Sequence, residues 1–306
     1  MTRTESAMTD GKRSLQVIVP ARYDGGKVLK VLREELRVSG TLIKRLKHTQ
    51  GILLNGCPAR TVDPVKTGDL LKIVLTEREG SAHVIPVKSE FKIVYEDADL
   101  IVVSKPAGMA VHSSRKSDLH SLANALAYYF RQKGEYHMFR AVNRLDRQTS
   151  GLMILAKNEH ANALLVRQMK EKQIEKTYLA ITDGIPNPSE GTMRFPIKRA
   201  DDSVLKRVVA PDGKEAVTHY RVLKQSGGFA LAEIRLETGR THQIRVHFAH
   251  IGCPLLGDWL YGREQGVPIE RQALHAWKLA FYHPISGKKL FFEAELPQDM
   301  KNIFEI

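Results

Sequence analysis

The chain has 306 residues, of which 42% are hydrophobic, and its formal net charge is +13. This length usually corresponds to two domains, and the surplus of lysine and arginine makes a polyanion, first of all a nucleic acid, the expected partner. No apolar run is long enough to cross a membrane, and the first residues, MTRTESAMTDGKRS, contain no apolar stretch of a secretory signal. We therefore expect a cytoplasmic protein without a membrane partner.

The first 12 residues are polar and lack periodicity, so we predict a disordered leader there. Two short helices follow. In GKVLKVLREELRVSG the apolar residues share one helical face and Ser39-Gly40 marks the end, whereas in TLIKRLKHTQG Thr41 is the expected N-cap and Gly51 the expected end. Outward-facing cations in this region are Arg37, Lys44, Arg45 and Lys47.

The segment GILLNG then predicts a hairpin, because Asn55-Gly56 suits a tight turn. Two basic helices followed by strands and this turn resemble an S4-type RNA-binding domain over roughly residues 14 to 76. We place that domain at residues 13–82 and a polar linker at 83–90. The alternative is a small basic cap that packs on the larger domain without binding RNA.

Residues 91–306 are expected to form a second domain of the α+β class. FKIVYEDADLIVVSKPAG predicts two strands around an acidic turn, and SDLHSLANALAYYFRQKG predicts a helix capped by Ser117 or Asp118. Several hairpin-like strand pairs with few helices between them favour a mixed, largely antiparallel sheet.

Asp146 is a candidate reactive group because it lies between Arg144 and Arg147 in the loop NRLDRQTSG, directly before the strand LMILA. Nearby cations keep an aspartate ionised, which suits a nucleophile or a base. A surface carboxylate in an ion-pair cluster is the alternative.

The segment LETGRTHQIRVHFAHIG adds cations to this picture. It predicts a helix with Thr241 as N-cap and Ile244, Phe248 and Ile251 as its buried stripe. Arg240 and Arg245 then lie near the helix start, where an anion such as a phosphate or an aspartate is stabilised.

A third segment, KTYLAIT, alternates as a strand does, with Leu179 and Ile181 on one face and Tyr178 and Ala180 on the other. Such a tyrosine has room for a flat ring beside it, although a tyrosine in a strand is more often part of a core.

Four motifs of the chain closely resemble those of the RluA-type family of RNA pseudouridine synthases. In chain order they are SKPAGMAVH, NRLDRQTSG, KTYLA and GRTHQIRVHFAHIGCPLLGD. The resemblance covers nearly the whole chain. It implies an isomerase that converts uridine to pseudouridine in RNA without a metal or any other cofactor. Two positions depart from the common pattern, because Asn143 and Cys253 stand where histidine is frequent.

The resemblance also assigns site residues. Asp146 corresponds to the essential catalytic aspartate, Tyr178 to the tyrosine that stacks on uracil, and Arg245 to the arginine that pairs with the aspartate. Arg144 corresponds to the residue that fills the gap left by the target base, and Leu274 to an apolar residue of the pocket. With the S4-like domain in front, the resemblance implies a target in large-subunit ribosomal RNA, with tRNA as the alternative; we expect a monomer.

Three competing interpretations follow from the residues. His242, His247 and His250 could suggest a metal site, but their spacing does not match that of metal-binding helices. Asp146 and Asp258 could form the carboxylate pair of a glycosidase, which the basic charge disfavours. An RNA-binding protein that keeps the fold without catalysis is the third, and retention of Asp146 together with Tyr178 and Arg245 argues against it.

Overall fold

The computed structural model describes residues 5–9, 12–75, 84–112, 119–263 and 266–304. Within these ranges the chain forms a small N-terminal domain and a larger α+β domain, each around its own sheet. The predicted fold class is therefore confirmed. None of the helices in these ranges is long and apolar enough to span a bilayer.

The N-terminal domain packs two helices on a five-stranded sheet. Its strands are β1 (Glu5–Thr9), β2 (Lys12–Ile18), β3 (Ile52–Leu54), β4 (Cys57–Pro58) and β5 (Leu70–Leu75), and its helices are α1 (Val28–Glu34) and α2 (Gly40–His48). The strand order is β1-β2-β5-β3-β4, and apolar residues of both helices complete a core that is separate from the rest of the chain. The predicted turn is confirmed, since Asn55 and Gly56 both have positive φ (51° and 84°) between β3 and β4.

Three local predictions in this domain differ from the structure. Residues 5–9 of the expected disordered leader form a strand paired with β2, because backbone hydrogen bonds can extend a sheet edge whatever the side chains. The first helix ends at Glu34 rather than near Ser39, since Arg37 takes a left-handed conformation (φ 52°). Ser39 instead caps α2, its hydroxyl accepting from the Leu42 amide at 3.2 Å in place of the expected Thr41. The predicted linker lies partly outside the described residues, which resume at residue 84.

The larger domain contains a nine-stranded sheet and a separate two-stranded hairpin. Its strands are β6 (Lys92–Glu96), β7 (Leu100–Lys105), β8 (Ser150–Ala156), β9 (Glu175–Asp183), β10 (Glu190–Arg194), β11 (Ile197–Arg199), β12 (Arg207–Val209), β13 (Val217–Ser226), β14 (Phe229–Leu236), β15 (Leu274–Tyr282) and β16 (Lys289–Glu293). The main order is β10-β13-β14-β9-β15-β8-β7-β6, with β16 on β15, and β11 pairs with β12. Among these strands, all described pairings are antiparallel except that of β8 with β15, which agrees with the predicted mixed sheet.

Helices cover both faces of this sheet. They are α3 (Leu122–Gln132), α4 (Glu159–Lys170), α5 (Gln243–His250) and α6 (Gln298–Lys301). Residues of α3 and α5 share one core cluster with Tyr178 and Ala180, whereas Leu179 and Ile181 belong to another cluster with residues of α6. The predicted alternation along β9 is therefore confirmed. Helix α3 begins later than expected, because Ser121 and Asn124 form its capping box, and the predicted caps Ser117 and Asp118 lie outside the described residues.

The two domains touch through charged and apolar contacts. Arg13 of β2 donates to Asp99 beside β7, with Nε 3.0 Å from Oδ1, and Arg45 of α2 forms an ion pair with Glu159 of α4. Ile285, in the turn after β15, packs against the N-terminal core. Arg45 therefore faces the larger domain, whereas the sequence placed it among the outward-facing cations of the segment that resembles an RNA-binding domain.

Gly151 holds β8 close to β15. A Cβ atom there would lie 2.2 Å from the Ala276 carbonyl oxygen, and the residue has φ +111°. We expect Gly151→Ala to lower the free energy of unfolding by about 1–3 kcal/mol through overpacking, in addition to the cost of its backbone conformation. Chemical denaturation measures this change. The matched control is Gly134→Ala, where φ is +70° but a Cβ would meet nothing within 4 Å; equal losses for both variants would contradict the account.

Candidate active site

The turn that carries Asp146 lies at the start of β8. The Thr149 amide donates to the Asp146 carbonyl at 3.1 Å, and β8, from Ser150, is buried throughout. Asn143 anchors the other end of the turn, because its carboxamide accepts from the Ile154 amide (2.8 Å) and donates to the Leu152 carbonyl (3.3 Å). Asp146 is thus held on a rigid support with its side chain 31% exposed, as predicted.

The buried side chain of Lys105 binds this turn through hydrogen bonds. Its ammonium donates to the carbonyls of Pro106 (2.8 Å), Met109 (2.8 Å) and Arg147 (3.0 Å), although the residue is only 1% exposed. Burial lowers the pKa of Lys105 to about 7, and the nearby positive charge of Arg271 contributes less to this shift. The bond to Arg147 ties the end of β7 to the residue next to Asp146.

Lys105→Met is expected to destabilise the fold by roughly 3 kcal/mol, because it removes the donor from the buried carbonyl of Met109, at about 1–3 kcal/mol, and from two partly buried carbonyls. Turnover should also fall, since the turn loses an anchor. Thermal and urea unfolding test the first effect. Lys289→Met, which removes an exposed ion pair with Glu175, is the control and should change stability far less; the reverse order would contradict the assignment.

Arg245 lies in the first turn of α5 and connects two carboxylates. Its Nε and Nη2 bind the two oxygens of Asp258 at 2.7 Å each, and its Nη1 lies 3.3 Å from Asp146 Oδ2. Asp258 is fully buried, so this bidentate pair fixes the guanidinium and aims the remaining nitrogen at Asp146. The contact between Arg245 and Asp146 expected from the resemblance is present.

The start of α5 differs from the prediction. His242, with φ 59°, precedes the helix in place of Thr241. The Gln243 side chain closes the preceding loop instead, because its oxygen accepts from the Arg240 amide (2.9 Å) and from the Thr238 hydroxyl (2.8 Å). Ile244 and Phe248 are buried as predicted.

Tyr178 lies on the same face of the sheet as this ion-pair system. Burial raises its pKa, and the negative charge of Asp146 raises it further. Tyr178, Arg144 and Arg240 line one cleft of about 870 Å³. Leu274 packs in the same apolar cluster as Tyr178 and is 5% exposed.

The structure therefore brings together only part of the residue set expected from sequence. One cleft is lined by Tyr178, Arg144 and Arg240. One ion pair joins Asp146 to Arg245. Arg147 is exposed on the same turn as Asp146. The remaining predicted RNA-binding residues, which belong to the N-terminal domain, are Arg37, Lys44, Arg45 and Lys47.

The competing interpretations of the histidines and of Asp258 do not match the geometry. His247 Nε2 lies 2.9 Å from the Phe195 carbonyl and His250 packs edge-on against Phe195, whereas His242 faces Asp146 and Tyr261. Asp258 is buried against an arginine, so it is unsuited to act as the second carboxylate of a glycosidase. Its role as the partner of Arg245 was missed, although its position in GCPLLGD within the quoted motif was a signal.

Sequence comparisons identify relatives of this chain among known proteins. A sequence profile of the RNA pseudouridylate synthase family matches residues 99–250. The ribosomal large subunit pseudouridine synthase D of Zymomonas mobilis is 43% identical over 88% of this chain and 92% of its own length. The uncharacterized RNA pseudouridine synthase YhcT of Bacillus subtilis is 39% identical over 97% and 98%.

Solved structures with a similar fold are also pseudouridylate synthases. The human RNA pseudouridylate synthase domain containing 1 is similar with a TM-score of 0.57 and 28% identity, covering 67% of this chain and 83% of that protein. The human protein RNA pseudouridylate synthase domain containing 4 is similar with a TM-score of 0.56 and 27% identity, covering 70% of this chain and 92% of that protein. The identity across almost the full length, together with the arrangement around Asp146, shows that this chain belongs to the RluA-type family of RNA pseudouridine synthases and is an isomerase that acts on uridine in RNA.

Proposed function

We propose that the enzyme isomerises uridines of large-subunit ribosomal RNA and that Asp146 is its essential nucleophile or base. The observation that carries the role of Asp146 is its contact with Arg245, whose guanidinium is fixed by the buried Asp258. A partly exposed carboxylate held by a fixed cation beside a cleft is arranged to act on a sugar carbon or its proton.

The reaction detaches uracil from C1′ at N1 and rejoins it through C5, so that a proton leaves C5 and another is gained at N1. Nothing is oxidised, and no group enters from outside. Asp146 acts either by attacking C1′ or by removing the C2′ proton to give a glycal, and both routes use an ionised carboxylate stabilised by Arg245.

The target base must leave its stack before Asp146 can reach the sugar. Extrusion costs roughly a few kcal/mol, which stacking on an aromatic ring and insertion of a side chain offset. Tyr178 and Arg144 suit these two tasks, because both line the cleft and Arg144 is exposed. Further cations that line the same cleft suit the flanking phosphates, namely Lys172, Lys176, Arg235, Arg240, Lys278 and Lys289.

The proposal of a ribosomal target is supported by the names of several relatives and by the basic helix α2 of the N-terminal domain. Relatives from Zymomonas mobilis, Xanthomonas campestris and Escherichia coli are named ribosomal large subunit pseudouridine synthase D. We expect the enzyme to act as a cytoplasmic monomer. Mapping of pseudouridines in RNA from a deletion strain tests the target, and loss confined to tRNA would refute the ribosomal assignment.

The N-terminal domain is proposed to bind RNA phosphates through the exposed Lys44 and Lys47. Replacing both with alanine should weaken binding and lower the slope of log affinity against log salt by about 0.7–0.9 for each phosphate that the protein no longer neutralises. Titrations of labelled RNA at several salt concentrations measure this slope.

Arg45→Met is the matched control on the same helix. Because Arg45 pairs with Glu159, its replacement should change the slope less than replacement of the two lysines. An unchanged slope in the double-lysine variant would place the RNA elsewhere on the protein.

A further inference from the structure

His242 adopts a backbone conformation that residues with a side chain rarely take. Its φ of 59° and ψ of 17° lie in the left-handed region, directly before α5. Such strain persists only where the surroundings enforce it, and it often marks a side chain whose direction matters. Here the conformation places the ring between Tyr261 and Asp146.

The two ring nitrogens of His242 face different partners. Nδ1 lies 2.9 Å from the Tyr261 hydroxyl, and Nε2 lies 3.7 Å from Asp146 Oδ2. The rings of His242 and Tyr261 meet edge to face, with centroids 5.7 Å apart. The Tyr261 hydroxyl also accepts from the Arg207 amide at 2.8 Å.

These contacts favour one of the two positions for the ring proton. A carboxylate only accepts hydrogen bonds, so Nε2 must carry the proton if it is to approach Asp146. In a neutral ring, Nδ1 then accepts a hydrogen bond from the Tyr261 hydroxyl, whose oxygen in turn accepts from the Arg207 amide.

We propose that His242 is a positioning residue for Asp146, and that Tyr261 holds it in the tautomer that donates from Nε2. The inference rests on the proposed role of Asp146. His242 and Arg245 both address Oδ2, so that Oδ1 is the oxygen that this arrangement assigns to the reacting sugar. The 3.7 Å separation would shorten when RNA closes the site, as hydrogen bonds of catalytic groups commonly do.

Tyr261 couples this contact to the Arg245 system. Its ring lies beneath the Arg245 guanidinium, 5.0 Å from centroid to Cζ, and its amide donates to Asp258 Oδ1 at 3.3 Å. The turn from Asp258 to Tyr261 thus supports both groups that address Asp146.

Burial lowers the pKa of His242, which keeps its ring neutral near neutral pH, while the charge of Asp146 acts in the opposite direction. The charged or titratable groups that face it are Asp146, Arg245, Arg207, Asp258 and Tyr261. In a neutral ring without the Tyr261 hydroxyl, the proton is free to move to Nδ1 and leave a lone pair facing the carboxylate. An imidazolium carries both protons and does not need Tyr261 for this purpose.

The test is the single-turnover rate of tritium release from ribosomal RNA labelled at uridine C5, prepared from cells that lack the gene. Tyr261→Phe should lower the rate roughly 10- to 100-fold at about pH 8 without changing RNA affinity. Because burial lowers the pKa of His242, the ratio of this rate to that of the intact protein should recover only at acid pH, where the imidazole carries both protons. His242→Gln, whose amide can donate to Oδ2, should retain more activity than His242→Ala.

Tyr220→Phe is the control for removal of a tyrosine hydroxyl that has a hydrogen-bond partner, because the Tyr220 hydroxyl donates to the Pro188 carbonyl at 2.9 Å. It should leave the pH profile unchanged. A Tyr261→Phe deficit that is absent or independent of pH, or equal rates for His242→Gln and His242→Ala, would overturn the inference. If the intact, folded protein releases no tritium, the proposed function itself fails, which is a distinguishable result.

Discussion

Asp146→Asn is expected to reduce pseudouridine formation by roughly 10⁴-fold or more, the scale of loss seen when an enzyme loses its nucleophile or base. Asparagine preserves the shape of the side chain but has neither the charge nor the basicity that both chemical routes require. Mass spectrometry of nucleosides from RNA incubated with each protein measures the product.

The fold should tolerate this replacement. Asp146 is partly exposed and its side chain contacts Arg245 at 3.3 Å, whereas Arg245 keeps its shorter bonds to Asp258. Thermal unfolding of Asp146→Asn should therefore stay close to that of the intact protein. Substantial product from the variant would show that another group performs the chemistry.

Asp258→Asn is expected to have the larger structural effect. Removing one partner of a buried ion pair leaves an uncompensated charge, which costs about 3–5 kcal/mol. Turnover should fall as well, by roughly 100-fold, because the guanidinium is no longer aimed at Asp146. Urea unfolding and single-turnover rates at saturating RNA separate the two effects.

Asp183→Asn is a matched control for this prediction. Asp183 binds Arg263 with the same bidentate geometry, at 2.5 Å for each hydrogen bond, but that arginine is exposed. Water screens this partly exposed pair, so its removal should change stability little and turnover not at all. Equal destabilisation by the two replacements would contradict the importance that we give to burial at Asp258.

Short-range patterns in the sequence predicted much of the fold. The Asn55-Gly56 turn and the two faces of β9 depend on neighbouring residues only, and both agree with the structure. Helix starts were less predictable. Thr41 and Thr241 are reasonable caps by residue type, but the cap that forms depends on the conformation of the preceding chain, as at Ser39 and His242.

The site was predictable to a similar degree. The family resemblance identified Asp146 and Arg245, which lie 3.3 Å apart, and Tyr178, which lines the cleft together with Arg144. The supporting contacts of Lys105, Asp258 and Tyr261 could not be derived from spacing, because they depend on how the folded chain arranges its loops around the site. For the same reason the ion pair that turns Arg45 toward Glu159 was missed.

The central claim is that this enzyme isomerises uridine in RNA through Asp146. Tritium release from ribosomal RNA labelled at uridine C5, taken from cells that lack the gene, tests it most directly with the intact protein and Asp146→Asn side by side. We predict release by the intact protein and none above background by the variant. Equal release by both would contradict the role of Asp146, and no release from ribosomal RNA alongside release from tRNA would contradict the proposed target.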